Sequence, residues 1–252
     1  MRRKKGLIVG VANQHSIAWG CARVLRKHGA DLAITYANQE AETYVRPLAQ
    51  QVESSLILPL DVQDDVQLQE VFQTIRRQWG TLDFVIHSIA FAPKTDLHGR
   101  VVDCSKSGFI TAMDISCYSF IQLARLAEPL MENGGTLLTI TYYGGEQVIP
   151  HYNIMGPVKA ALESSVKYMA SELGSQKIRV NAISPGPIMT RAASGLLNFQ
   201  SLLDFAKEHS PEHELTTIED IGEVAAFLVS DRAKHITGTI SFVDCGLHIM
   251  GA

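Results

Sequence analysis

The sequence predicts an α/β fold: a doubly wound, mostly parallel sheet of seven strands with helices on both faces. Three observations lead there. Short, nearly continuous apolar runs alternate with longer helical patterns along the 252 residues, as parallel strands and their crossover helices do. No Pro/Gly/Ser linker, low-complexity stretch or charge block divides the chain, so residues 1–252 are expected to form a single domain. The residues of chemical interest fall just after the expected strands, where open sheets of this kind bind their ligands.

The elements follow in order. Apolar runs at 7–12, 31–36, 55–60, 83–87 and 135–141 give the first five strands. Between them, 16–28, 39–52, 64–79 and roughly 104–131 are each long enough for a crossover helix. A helix near 153–173, a strand at 178–184, a helix near 219–229 and a strand near 239–243 complete the pattern. Repeating strand–helix units imply right-handed crossovers.

Composition removes several classes of function. The formal net charge of −4 creates no field that would draw nucleic acid or a membrane surface. Met1 to Lys5 is basic, but the apolar run after it is too short for a signal sequence, so it reads as a solvated tail. No run approaches the roughly 18 apolar residues of a membrane span, and a soluble protein is expected. Cys21, Cys104, Cys117 and Cys245 form no C-x-x-C pair, which suits a reducing, cytoplasmic setting. His209 and His213 stand beside Glu212 and Glu214, but Pro211 interrupts any helix carrying both; no metal site is expected.

Four segments point to a dinucleotide. After the first strand, Gly10 permits a tight turn and Ser16 can cap the next helix, whose free N–H groups suit a pyrophosphate. Gly20 would let that helix lie close against the strand. The G-x-G-x-x-G fingerprint is absent, so this segment alone is weak evidence. Asp61, before Val62, can accept from an adenine amino group or serve as an N-cap. Ser88, Ile89 and Ala90 follow the fourth strand and leave room for a ribose. Ser184 to Thr190 follows the sixth strand as a rigid turn that suits the nicotinamide carboxamide. The second strand ends at Tyr36 and Ala37 with no acidic residue, and no Arg or Lys precedes Arg46. A 2′-phosphate would want a nearby cation, so NADH is favoured over NADPH.

Tyr152 and Lys159 are seven apart, two helical turns, and share a face if the helix begins by Tyr152. A phenol near an ammonium would be the better acid, and the ammonium keeps donors free for ribose hydroxyls.

With these residues in place, the sequence resembles the short-chain dehydrogenase/reductase superfamily, and within it the enoyl-acyl carrier protein reductases of bacterial type II fatty-acid synthesis. The resemblance runs from Gly6 to about Met250. It rests on Ser16 to Gly20, His87 to Ile89 with Phe91 to Pro93, Tyr142 ten residues before Tyr152, Tyr152 to Lys159, and Gly186 to Gly195. Most superfamily members place three residues between tyrosine and lysine. Six lie between them here, with Gly156 where that shorter spacing would put lysine.

The resemblance implies a Rossmann-type dinucleotide-binding and catalytic domain, an oxidoreductase that delivers hydride from NADH to C3 of a trans-2-enoyl thioester. It implies catalytic roles for Tyr142, Tyr152 and Lys159. Cofactor contacts are expected from Gly10, Ser16, Ile17, Ala37, Asp61, Val62, Ser88, Ile89, Lys159, Ile188 and Thr190. Substrate contacts are expected from Ala90, Phe91, Met155, Ala192 and Phe199, with a mobile lid over about 190–210. The implied partner is an acyl-carrier-linked substrate and the implied assembly a homotetramer.

Three features depart from that pattern. The lid stretch has no cation between 192 and 206, and 210–214 is acidic; both would weaken docking of an acidic carrier. Cys245 stands where glycine is common, and reads as a small buried thiol. Two other functions compete with this one. A carbonyl-reducing member of the superfamily would want lysine four after tyrosine, although Thr139 could supply its hydroxyl. A non-catalytic dinucleotide sensor would have no reason to hold Tyr142, Tyr152 and Lys159 together.

Overall fold

The computed structural model describes residues 3–191 and 193–251. Seven strands form one sheet: β1 (Lys5–Val9), β2 (Asp31–Tyr36), β3 (Leu56–Pro59), β4 (Phe84–His87), β5 (Gly135–Ile140), β6 (Ile178–Pro185) and β7 (Ile240–Val243). Their order is β3-β2-β1-β4-β5-β6-β7, and every pairing is parallel. The strand order reverses between β1 and β4, which opens a crevice beyond their carboxyl ends.

Nine α-helices are described: α1 (Ile17–Lys27), α2 (Gln39–Gln51), α3 (Asp65–Trp79), the single turn α4 (Lys94–Leu97), α5 (Lys106–Met113), α6 (Ser119–Ala127), α7 (Met155–Leu173), α8 (Phe199–His209) and α9 (Ile218–Val229). Alternation along the strands divides the interior in two. Leu7 and Val9 join Val85, Leu137, Val180 and Ala182 beneath α3, α6 and α7. Ile8 joins Ile34, Ile86, Leu138 and Ile183 beneath α1, α2 and α9. Both faces are dry, which is why the strands read as unbroken apolar runs.

Three expectations change. The stretch expected as one helix over 104–131 is α5, a π-helical turn at Asp114–Tyr118 and α6, preceded by an extended segment at Cys104. The helix carrying Lys159 begins at Met155, so Tyr152 lies before it, in a turn where His151 and Asn153 both adopt positive φ (65° and 47°). Tyrosine and lysine therefore do not share the face of one helix. Finally, Gly20 does not face the strand. A Cβ there would lie 2.2 Å from the Ile218 carbonyl oxygen, so it is α9 that approaches α1 closely.

Candidate active site

The crevice is assembled from backbone first. Gly10 leaves β1 at φ 110°, and a Cβ there would sit 2.1 Å from the Ser88 carbonyl oxygen beyond β4. Only glycine lets the two strand ends close on each other. Ser16 occupies the N-cap position of α1, but its side chain does not cap. Its Oγ instead accepts from the Ala12 and Asn13 N–H groups at 3.0 Å, pinning the loop. The N–H groups of Ile17 and Ala18 keep no intrahelical partner, as at any helix start, so the positive end of α1 opens on the crevice.

On the far side of β1, Ala37 is exposed in the bend after β2, where Asn38 caps α2 by accepting from Ala41 N. Arg46 is bonded to Glu42 one turn away. Asp64, not Asp61, is the N-cap of α3, accepting from Val66 and Gln67. The N-cap role open to Asp61 is therefore taken by Asp64. The Asp61 carboxylate holds only the Gln63 N–H and remains exposed, while Val62 is buried beneath it.

Beyond β4, Ser116 in the π-turn clamps the loop carrying Ala90 and Phe91. Its Oγ accepts from Phe91 N and donates to Phe91 O, both at 2.9 Å. The Phe91 ring is half exposed, and Ile89 packs partly on the core. His87 is wholly buried between Thr139 Oγ1 at 2.8 Å and Ser119 Oγ at 2.9 Å. Ser119 already donates its one proton to Ile115 O at 2.7 Å. His87 Nε2 must therefore carry a proton and donate, and Nδ1 must accept from Thr139. Burial, helped by the Lys159 charge, pulls the imidazole pKa down to about 3, so it is neutral.

The reactive cluster stands at the carboxyl end of β5. The rings of Tyr142 and Tyr152 meet edge-on with centroids 4.9 Å apart. Tyr152 is only 8% exposed, and Gly144 makes room for it: a Cβ there would lie 2.4 Å from the ring. Lys159 is 3% exposed and donates to the Ile140 carbonyl at 2.8 Å. The expected acidification of Tyr152 by Lys159 does not occur. Burial above all, then Tyr142 and the Glu163 carboxylate, push the Tyr152 phenol well above its ordinary value. Burial and Asp244 do the same for Tyr142. Burial pulls Lys159 down to about 8, with Glu163 opposing. The end of β5 thus carries two neutral phenols in edge contact and an ammonium bonded to Ile140 O.

At the end of β6, Ile188 packs partly on the second core and Thr190 Oγ1 accepts from Ala193 N at 3.1 Å. The buried Ser184 hydroxyl has no hydrogen-bond partner in the protein. Met155 and Phe199 are buried, the latter at the start of α8. Ala192 lies outside the described residues. Cys245 is half-buried rather than buried and sits at φ 56°, in the left-handed region that favours glycine. Burial and the carboxylates of Glu212, Glu214 and Asp244 push its thiol up to about 11.

Sequence reasoning missed Glu163, Ser116 and Ser119. Glu163 lies one turn after Lys159, an available signal. Ser116 and Ser119 depend on a π-turn that no spacing announces. The residues present suit a nicotinamide dinucleotide: a close backbone turn, a free helix start, an unpaired buried hydroxyl and an ammonium with donors to spare.

The family model described as enoyl-(acyl carrier protein) reductase matches residues 10–248. An enoyl-[acyl-carrier-protein] reductase [NADH] of Rickettsia typhi is 47% identical over 252 residues, covering 100% of this chain and 97% of that protein. The Anaplasma phagocytophilum reductase, solved in complex with NAD, superposes with a TM-score of 0.96 at 49% identity, covering 100% and 96% of the two chains. The Bacillus cereus reductase, solved with NADP+ and an indole naphthyridinone, gives 0.97 at 48%, covering 100% and 98%.

Proposed function

The chain belongs to the enoyl-(acyl carrier protein) reductase family, and from that premise we propose that it reduces the C2=C3 double bond of a trans-2-enoyl thioester carried on acyl carrier protein, with NADH, in fatty-acid elongation. The observation that carries the reading is the buried cluster of Tyr142, Tyr152 and Lys159 at the carboxyl end of β5. When bound, NADH supplies the hydride that goes to C3.

Every other part falls to the chain. The start of α1, with Gly10, Ser16 and Ile17, takes the pyrophosphate; Ala37, Asp61 and Val62 line the adenosine end. Ser88 and Ile89 border the ribose, while Ile188 and Thr190 border the nicotinamide. Lys159 spends one donor on Ile140 O, which leaves two N–H groups for ribose hydroxyls. Tyr152, a neutral phenol, donates to the thioester oxygen where negative charge gathers as C3 is reduced, an oxyanion-hole role that needs no prior ionisation. Tyr142 packs on its ring and lines the acyl site with Ala90, Phe91, Met155, Ala192 and Phe199. Residues 190–210, with α8 as their second half, form the lid that excludes water, and the whole chain acts as a single domain. The cation-free stretch 192–206 within the lid and the exposed Glu212 and Glu214 make docking of an acidic carrier weak.

A homotetramer is supported by an exposed apolar strip of Phe109, Ile110, Tyr118 and Ile121 along α5, the π-turn and α6. Among the described residues no helix is long and apolar enough to cross a membrane. The four free cysteines support a cytoplasmic setting.

The test follows NADH absorbance with a trans-2-enoyl thioester and, separately, a 3-ketoacyl thioester. Turnover of the enoyl substrate alone is expected, reduced about 10²–10³-fold in Tyr152→Phe by loss of one oxyanion donor. Turnover of the keto substrate alone would overturn the reading.

A further inference from the structure

We propose that Glu163 is a positioning residue: its carboxylate, held by Thr141 and given room by Gly145, keeps the buried Lys159 ammonium charged and its free donors aimed at the cofactor ribose. The proposal rests on the role given to Lys159 above.

The geometry is built from three elements. Lys159 and Glu163 stand one turn apart on α7, both more than nine-tenths buried. Thr141, just past β5, donates its hydroxyl to Glu163 Oε1 at 2.5 Å. The residue before it, Ile140, supplies the carbonyl that Lys159 grips at 2.8 Å. Consecutive residues at one strand end thus fix both charges of α7. The loop that follows is shaped to fit: a Cβ on Gly145 would lie 2.7 Å from Glu163 Oε1, so any larger residue would occupy the carboxylate's space.

A buried ammonium is costly unless an opposite charge or hydrogen bonds compensate it. Several groups bear on this pair. Lys159 faces Glu163, the Cys117 thiol of the π-turn and His87 of β4. Glu163 faces Lys159 and Lys167 of α7, Glu146 of the loop after β5, and Tyr152. His87 is neutral, and burial raises the Cys117 thiol pKa, so it stays protonated. That leaves Glu163 as the carboxylate supporting the ammonium. Burial raises the Glu163 carboxyl above the ordinary value, the Thr141 hydroxyl opposes that by donating to it, and the like charge of Glu146 adds to the rise. The carboxylate does not itself accept from Lys159, whose bond goes to Ile140 O. It acts through space and leaves the ammonium's donors free, where a direct ion pair would use one of them.

The test is the pH dependence of NADH binding to the purified protein, followed by nucleotide fluorescence. In Glu163→Gln the side-chain volume and the acceptor for Thr141 remain and the charge is lost. The alkaline limb of binding is expected to move down by about 1–2 pH units, with affinity near wild type recovered at mildly acidic pH. A merely structural tie between α7 and β5 would instead weaken binding equally at all pH, or not at all; either result overturns the proposal. If Glu163→Gln does not fold, Glu163→Asp decides, because it keeps the negative charge while drawing the carboxylate back from Thr141. Its alkaline limb must stay at the wild-type pH, and binding weakened equally at all pH overturns the proposal. Lys159→Met separates the two readings. Full NADH binding and turnover in that variant would remove the role of the lysine itself. Loss of binding there, beside an unmoved limb in Glu163→Gln, would remove only the role of the glutamate.

Discussion

Lys159 and Tyr152 are moved by the same cause in opposite directions. Burial favours the neutral form of each, so the lysine becomes easier to deprotonate and the tyrosine harder. The sign for the lysine is explicit: its charged form is present below about pH 8 and is lost as pH rises through that value. Cofactor binding that uses the ammonium is therefore complete below about pH 8 and declines above it. The tyrosine contributes no limb in that range. Tyr152→Phe is expected to retain the alkaline limb of NADH binding while losing turnover; disappearance of the limb in that variant would assign it to the tyrosine instead. Sequence spacing found both residues but misjudged how they interact. The seven-residue interval suggested a shared helical face, whereas positive-φ residues at His151 and Asn153 place the phenol outside α7. Which environment a side chain meets is a property of the packed molecule, and a one-dimensional interval carries none of it.

At the scale of elements, the closest helix pair is α1 with α9, and glycine decides it. Cβ atoms at Gly20 and Gly222 would lie 2.2 Å and 2.8 Å from carbonyl oxygens of the facing helix. The ion pairs along the same contact, Arg23 with Glu219 and His28 with Glu223, are exposed on both sides and add little. Close approach buries Ala18, Cys21, Ala22 and Val24 against Ile221, Ala225 and Ala226, each large side chain worth ~1.5–3 kcal/mol. Gly20→Ala is expected to destabilise the protein by about 1–3 kcal/mol through overpacking, read as a lower urea midpoint at unchanged slope. A neutral result would mean that α9 can shift away freely. The sequence carried Gly20 but not its partner, because α9 begins nearly two hundred residues later. The long helix expected over 104–131 failed for a similar reason. Its interruption serves Ser116, which clamps Phe91 from 25 residues away, and Ser119, which meets His87. π-turns of this kind recur at functional sites, yet nothing in local periodicity marks them.

Among the described residues an apolar strip lies outside the core. Phe109, Ile110, Tyr118 and Ile121 stand open along α5, the π-turn and α6, beside a groove of about 440 Å³ floored by Met113, Cys117 and Ala161. A second copy of the chain is the proposed occupant. Ile110→Glu is expected to yield a smaller species by light scattering, with the fold retained by circular dichroism; an unchanged mass would place the assembly contact elsewhere. The sequence by itself determined the seven strands and the order of their crossover helices, since buried parallel strands must be apolar on both faces. It also placed Gly10, Asp61, Tyr142, Tyr152 and Lys159 at or near strand ends, because residues following parallel strands converge on one edge of the sheet. The tertiary structure alone decided the burial of the titratable groups and the partners of Gly20, Glu163, Ser116 and Ser119. Each of these depends on what distant chain segments bring within a few ångströms, on burial and through-space charge that local pattern does not encode.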